Sequence, residues 1–360
     1  MAEVYASALG IGPGDVFYGP LPMHHLSGTI VAPLVPLVAG ASTVVDPVFS
    51  VSRFWPRVHE VGATHTVLVG GMPQMLWQRP VDELEAGNPL RAAVAIPVPA
   101  EIHDAFERRF GLTIVAGYGS SEAGQVTFSS VDEPVAPGTA GRPMPSHEVM
   151  VVDDGDTPVP AGEVGEIVVR PRRPHVMFEE YRGNPEATVA ATRNLWFHTG
   201  DLGRFDGDGN LTFADRKKDY LRRRGENISS FEVETAMATH PAVAEIAVVG
   251  VPSELGEDEV KAYVVLRDGA PIGEVELLHH AARTMPHFAV PRYISILGSL
   301  PRSAVGRVQK FLLRDMHSSA PGWDREQHGY SLNRHNIDEF ISDPGRFSNA
   351  APGDRRADTR

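Results

Sequence analysis

Residues Leu195 to Glu234 read LWFHTGDLGRFDGDGNLTFADRKKDYLRRRGENISSFEVE, the densest gathering of polar, turn-forming and charged side chains in the chain. Trp196 to Asp201, WFHTGD, sets an aromatic pair ahead of a turn that presents one carboxylate. A carboxylate carries enough acceptor positions for two vicinal hydroxyls, so a sugar is the natural guest. Asp206 to Asn210 is a turn between short strands. Asp215 to Asp219 then clusters five charges, and Arg222-Arg223-Arg224-Gly225 adds a basic run. Taken as charges alone, these runs read as a solvated surface loop.

The joint order of W-x-x-T-G-D, D-R-x-K-D, a basic residue before Gly225, then Ile228 and Glu232-x-Glu234 resembles the adenylate-forming acyl-CoA synthetase superfamily, and its wording looks most like the carnitine/crotonobetaine–CoA ligase-like branch. Gly117-Tyr118-Gly119-Ser120-Ser121-Glu122 upstream and Leu300-Pro301-Arg302-Ser303-Ala304-Val305-Gly306-Arg307-Val308-Gln309-Lys310 downstream match two further motifs of that superfamily. The resemblance runs from Met23 to about Lys310. It implies that Asp201 binds the ribose hydroxyls, Arg216 contacts ribose and phosphate, Tyr118 faces adenine, and Ser120 and Ser121 beside Gly119 face phosphate. Glu122 is then the Mg²⁺ ligand, Arg224 and Gly225 line a pantetheine channel, His25 lines the acyl pocket, and Lys218 is the hinge between two poses of a small C-terminal domain. The implied cofactors are ATP/AMP, Mg²⁺ and coenzyme A, and the implied substrate is a small carboxylic acid. On the residues alone, the His24-His25 pair reads as structural.

At 360 residues and 42% hydrophobic content the chain can bury a large core and divides into at least two domains. A net charge of −13 argues against a nucleic-acid partner, whose phosphates ask for a basic face. The absence of cysteine removes disulfides, thiolate metal sites and a cysteine nucleophile, and fits a cytoplasmic protein. The longest apolar run, Ile30 to Ala41, is broken by Pro33 and Pro36 and falls short of the roughly 20 residues of a spanning helix. No signal peptide is read in MAEVYASALG. A homo-oligomer stays open.

Hydrophobic periodicity gives an α/β chain. Apolar runs at Thr43–Val45, His65–Val69 and Leu112–Ala116 alternate with helical patterns at Val51–Val61, Pro73–Gln78 and Glu101–Phe110, the rhythm of a doubly wound sheet. The Gly117–Glu122 turn follows a strand's carboxyl end, where open α/β sheets bind ligands. The expected organisation is a partial doubly wound α/β subdomain over 1–140, a small β subdomain over 141–218, a small α+β C-terminal domain over 219–316, and a polar, mostly mobile tail over 317–360, with Gly322-Trp323-Asp324-Arg325-Glu326 kept as a docking candidate.

Two departures from the superfamily shape the functional expectation. The Ser/Thr/Gly-rich loop with a lysine that cradles the outer phosphates lies, in the family, upstream of where this chain starts, so a truncated ligase impaired in adenylation is expected. Where the family places its adenylation lysine this chain has Arg307, a planar fork in place of a point charge, with Lys310 as the fallback. The family's adenine-pocket turn appears here as Val94-Ala95-Ile96-Pro97. The leading expectation is an ATP-dependent carboxylic acid–CoA ligase. The alternative is a non-catalytic acyl- or nucleotide-binding remnant with an interaction role, and an adenylation module loading a carrier protein stands third. A serine nucleophile is set aside because no G-x-S-x-G occurs.

Overall fold

The computed structural model describes residues 2–23, 26–96, 98–134, 136–223, 226–253, 257–302 and 308–343. The chain forms two compact units, Met1–Phe213 and Ala214–Arg360. Among the described residues no helix is long and apolar enough to cross a membrane.

The first unit opens with α1 (Ala2–Leu9) and continues as alternating strands and helices: β1 (Val16–Gly19), α2 (Ala32–Ala39), β2 (Ser42–Val45), α3 (Phe54–Val61), β3 (His65–Val69), α4 (Met72–Trp77), β4 (Ala92–Ile96), α5 (His103–Phe110) and β5 (Thr113–Val115). The strands pair in parallel in the order β2-β1-β3-β4-β5, a doubly wound arrangement. Its central strands are apolar on both faces, as a sheet covered by helices requires: Phe17, Val67, Leu68, Ala93, Val94 and Val115 are all buried. Val94-Ala95-Ile96 therefore belongs to a buried central strand and is not a turn, a correction that follows from its small and branched side chains fitting between β3 and β5. Pro97 lies outside the described residues.

Antiparallel structure follows. β6 (Gly117–Ser120), β7 (Gly124–Phe128) and β8 (Arg142–Pro143) form a three-stranded sheet. β9 (His147–Val152), β10 (Gly165–Pro171), α6 (Pro185–Ala191), β11 (Phe197–Phe205) and β12 (Leu211–Arg216) follow, and their strands pair in the order β12-β11-β10-β9. Val126, Val151, Ile167, Val169, Phe197 and Leu211 share one core beneath them. The expected division at 140/141 does not separate compact bodies, because β8 pairs back onto β7 through Thr127↔Pro143 and Phe128↔Arg142.

The division between units falls at Phe213/Ala214, inside β12 and ahead of Lys218. The second unit contains a hairpin, β13 (Leu221–Arg223) and β14 (Glu226–Ile228), then α7 (Ser230–Ala238), β15 (Val243–Pro252), β16 (Asp258–Leu266), α8 (Glu274–Thr284), β17 (Tyr293–Leu297), α9 (Lys310–Ser319), β18 (Trp323–Asp324) and α10 (Ile337–Ser342). Its sheet runs β15-β16-β17-β18. Alternate residues of β16 serve two cores: Val260, Ala262 and Val264 join Val233, Met237, Leu277 and Phe340, while Tyr263 joins Val249, Leu300 and Leu313.

The mobile-tail expectation is corrected for residues 317–343. Trp323–Asp324 adds an edge strand to β17, and Tyr330, Leu332 and Phe340 enter the core with α8. Arg292 forks the buried Asp324 at 3.0 Å, and the ammonium of Lys261 donates to the Ala320 and Pro321 carbonyls at 3.0 and 2.9 Å. The docking candidate Gly322–Glu326 supplies the edge strand, and the anchors beyond it follow no period, which is why a composition reading passes over those.

Candidate active site

β5 ends at Val115, and after Ala116 the chain enters β6 without a loop. The Gly-rich motif is thus a strand, and its turn is confined to Ser121–Ala123, where a free loop was expected. The register shifts between Tyr118 and Gly119, a β-bulge that re-aims a side chain. Gly119 is needed there because a Cβ would collide with the Gly124 carbonyl oxygen of the paired strand. Tyr118 is buried, its ring lies nearly parallel to Phe213 with centroids 6.3 Å apart, and its hydroxyl donates to Oδ2 of Asp201 at 2.7 Å. The structure thereby brings together two residues that are 83 positions apart in the chain.

Asp201 reaches that position through a distortion of β11. Between the paired residues Glu166↔Leu202 and Val168↔His198, a single residue of β10 stands opposite Thr199, Gly200 and Asp201. The extra residues bow out as a bulge, with Gly200 at φ 69, a left-handed backbone that favours glycine. The Thr199 hydroxyl donates to the Ile167 carbonyl at 2.7 Å and accepts from the Asp201 amide at 3.1 Å. The Gly200 amide donates to Oε1 of Glu166 at 3.2 Å. Each residue of T-G-D is therefore pinned, and Asp201 is buried with its carboxylate on Tyr118.

Glu122 is half-buried at the hairpin turn, where its Oε1 accepts from the Tyr181 hydroxyl at 3.0 Å. Burial first, and the Glu122 carboxylate next, raise the Tyr181 hydroxyl above its ordinary value. Ser120 Oγ accepts from the Ala123 amide at 3.1 Å and Ser121 is exposed. Among the described residues no group of three or more carboxylate or imidazole side chains is placed to hold a metal.

In the second unit Arg216, Lys217 and Lys218 are exposed, whereas Asp215 before them is buried. Its Oδ1 accepts from the Arg216 amide at 2.6 Å, and its Oδ2 from the Ser230 hydroxyl at 2.8 Å and the Phe231 amide at 3.2 Å. A carboxylate there answers the unpaired amides at the start of α7. Lys218 lends its carbonyl to Arg314 at 3.2 Å, and Arg314 pairs with Asp219 at 2.5 Å. Lys310 donates to Ser230 Oγ at 2.7 Å and stands 2.8 Å from Glu234. The basic run splits: Arg222 is exposed, but Arg223 is buried against Glu259 at 2.6 Å and the Phe288 carbonyl at 2.6 Å, so it holds the fold and is not available to phosphates. His25, Arg224, Gly225 and Arg307 lie outside the described residues.

Sequence reasoning missed the buried Glu166 with Arg193 and His198, and the capping role of Asp215. A lone acid at the head of the apolar run Ile167–Val169 was the signal for Glu166.

Residues 1–181 match the AMP-binding enzyme family, and residues 232–307 match the AMP-binding enzyme C-terminal domain. A sulfoacetate–CoA ligase of Cupriavidus necator is 34% identical over 305 residues, which make up 84% of this chain and 59% of that protein. A crotonobetaine/carnitine–CoA ligase of Escherichia coli O7:K1 is 33% identical over 298 residues, 82% of this chain and 57% of the relative. The chain thus spans less than two thirds of the length of these curated relatives. Among solved structures, ATP-bound MatB from Rhodopseudomonas palustris superposes with a TM-score of 0.77 at 29% identity, covering 88% of this chain and 63% of the other. The anthranilate CoA ligase AuaEII with anthranoyl-AMP gives 0.78 at 26% identity, covering 89% and 63%.

Proposed function

The chain belongs to the AMP-binding enzyme family, and from that premise we propose that it acts as an acyl-CoA synthetase that forms AMP. In the first half-reaction a carboxylate oxygen of a small acid attacks the α-phosphorus of ATP and expels pyrophosphate, leaving acyl-AMP. In the second, the sulfur of coenzyme A attacks the acyl carbon and expels AMP. The observation that carries this reading is the buried Tyr118–Asp201 pair, 2.7 Å between hydroxyl and carboxylate, set at the carboxyl end of a parallel sheet. An aromatic ring beside a carboxylate with acceptor capacity for two hydroxyls supports a nucleoside as the ligand.

We assign Asp201 to the ribose, Tyr118 to the base, Ser120, Ser121 and Arg216 to phosphate, and Lys218 to the hinge. When bound, a magnesium ion supplies charge neutralisation on phosphate oxygens. Glu122 suits it as a single carboxylate beside substrate oxygens, the usual manner of Mg²⁺. The chain's own residues do the rest by placement and charge. Both curated relatives are named for small acids, so the acyl group proposed here is short. Arg307 at the adenylation position points to a slow first step and a competent second one.

The test supplies a short-chain acyl-AMP and coenzyme A to the purified chain and follows thioester formation. Acceleration above background that falls on Asp201→Asn is expected. Folded protein giving no acceleration overturns the reading.

A further inference from the structure

Beneath the Asp201 bulge lies a charge cluster, reaching from the buried Glu166 to the exposed Arg193, that the proposed reaction does not use directly. Glu166, 4% exposed, sits at the head of β10. One of its oxygens accepts from the Gly200 amide, and its other oxygen lies 3.3 Å from Nη2 of Arg193 and 3.3 Å from Nδ1 of His198. Arg193 continues to Asp156 at 3.1 Å, and Asn194 also donates to Asp156. The Asp156 carboxyl is held below the ordinary carboxylate range, first by its hydrogen bond from Arg193.

We propose that Glu166 is a positioning residue that fixes the Gly200 amide and so sets where the bulge presents Asp201 to a nucleotide ribose. The assignment rests on the nucleotide reading given above. Three considerations carry it. A left-handed Gly200 turns its amide out of the β10–β11 ladder, so that amide needs an acceptor elsewhere, and Glu166 supplies it. A buried carboxylate is costly unless paired and hydrogen-bonded, and here one oxygen serves the bulge while the other accepts from Nη2 of Arg193 at 3.3 Å. Thr199 already ties the Asp201 amide to the Ile167 carbonyl, so Glu166 holds the remaining freedom of the bulge, the tilt of the Thr199–Gly200 peptide. Binding a diol by both carboxylate oxygens is sensitive to such a tilt.

The test titrates AMP and 2′-deoxy-AMP into the wild-type chain and into Asp201→Asn, Glu166→Ala, Glu166→Gln and Glu166→Asp. The wild type should prefer AMP, and Asp201→Asn should erase that preference. Glu166→Ala should weaken AMP about tenfold, roughly 1.4 kcal/mol, and shrink the preference. Glu166→Gln, which keeps an acceptor at the same reach, should restore most of it. Glu166→Asp keeps the charge but withdraws the oxygen by one methylene, and it should behave like alanine. It also decides the matter if Glu166→Ala does not fold. A wild type that binds both ligands alike, or an Asp201→Asn chain that still discriminates, overturns the nucleotide reading and this proposal with it. Preference lost in Asp201→Asn but intact in Glu166→Ala or Glu166→Asp leaves the nucleotide reading standing and overturns the positioning role.

Discussion

The ammonium of Lys310 stands 2.8 Å from Oε1 of Glu234, and the same oxygen of Glu234 accepts from the Val248 amide at 2.7 Å. Lys310 also donates to Ser230, whose hydroxyl is on Asp215, so the lysine closes a chain of contacts that fixes the start of α7. Its charge is answered inside its own unit. Burial raises the Glu234 carboxyl above its ordinary value, and Lys310 works against that rise. Removing one partner of such a pair strands the other.

Lys310→Met should therefore destabilise the second unit by about 2 kcal/mol, less than the loss of one member of a fully buried pair because both side chains are half-buried. The double variant Lys310→Met with Glu234→Gln should recover part of that loss. Urea unfolding of the four proteins measures the coupling, and strictly additive losses would show that the contact carries no energy.

If Lys310 is occupied structurally, adenylation falls to Arg307. Arg307→Lys should raise carboxylate-dependent pyrophosphate release, because a compact ammonium bridges carboxylate and α-phosphate better than a planar fork. An unchanged rate in Arg307→Lys, alongside a folded Lys310→Ala chain with none, would return the role to Lys310.

Lys261 gives a pH dependence of known sign. Its side chain is fully buried, and burial lowers its ammonium from 10.5 to about 8. Between those values the unfolded chain binds more protons than the folded one, so this group makes stability rise with pH from about 8 to 10.5. The contribution is lost as pH falls through 8. Thermal unfolding across that window should show a wild-type slope steeper than that of Lys261→Met, and parallel curves would contradict the assignment.

The docked C-terminal residues are tested by Phe340→Ala. Phe340 is fully buried, edge-on to Tyr330 at 5.8 Å and to His279 at 5.8 Å. Truncating it should cost about 3–5 kcal/mol. Limited proteolysis should then cut near residues 320–343 in the variant and spare the wild type. Equal cleavage in both would restore the mobile-tail reading.

Most elements were legible in the sequence because their apolar residues form a continuous run in the covered strands and follow a helical period in the helices. The β3 and β17 ranges coincide with their apolar runs, and α5 places Phe106 and Phe110 inward as helical spacing requires. Of the C-terminal anchors the Gly322–Glu326 stretch stood out in the sequence, whereas Tyr330 and Phe340 did not, since they are dispersed among polar residues and are buried by packing edge-on against each other in the core shared with α8. The Gly117–Ser120 strand was read as a turn because glycine content marks turns, whereas here Gly119 serves the close approach of a paired strand.

Residue types and their order by themselves determined the family, the α/β alternation and the candidates Tyr118, Asp201, Glu122 and Arg216, since hydrogen-bonding capacity belongs to the residue wherever it folds. Tertiary structure alone decided which charges do structural work. Arg222 and Arg223 are neighbours of one type, yet one is solvated and the other locked to Glu259; Asp215 and Asp219 flank the same turn, yet one caps α7 and the other pairs with Arg314. The cost of burying a charge and the partner that offsets it are set by what packs around the side chain, and those neighbours come from distant parts of the chain.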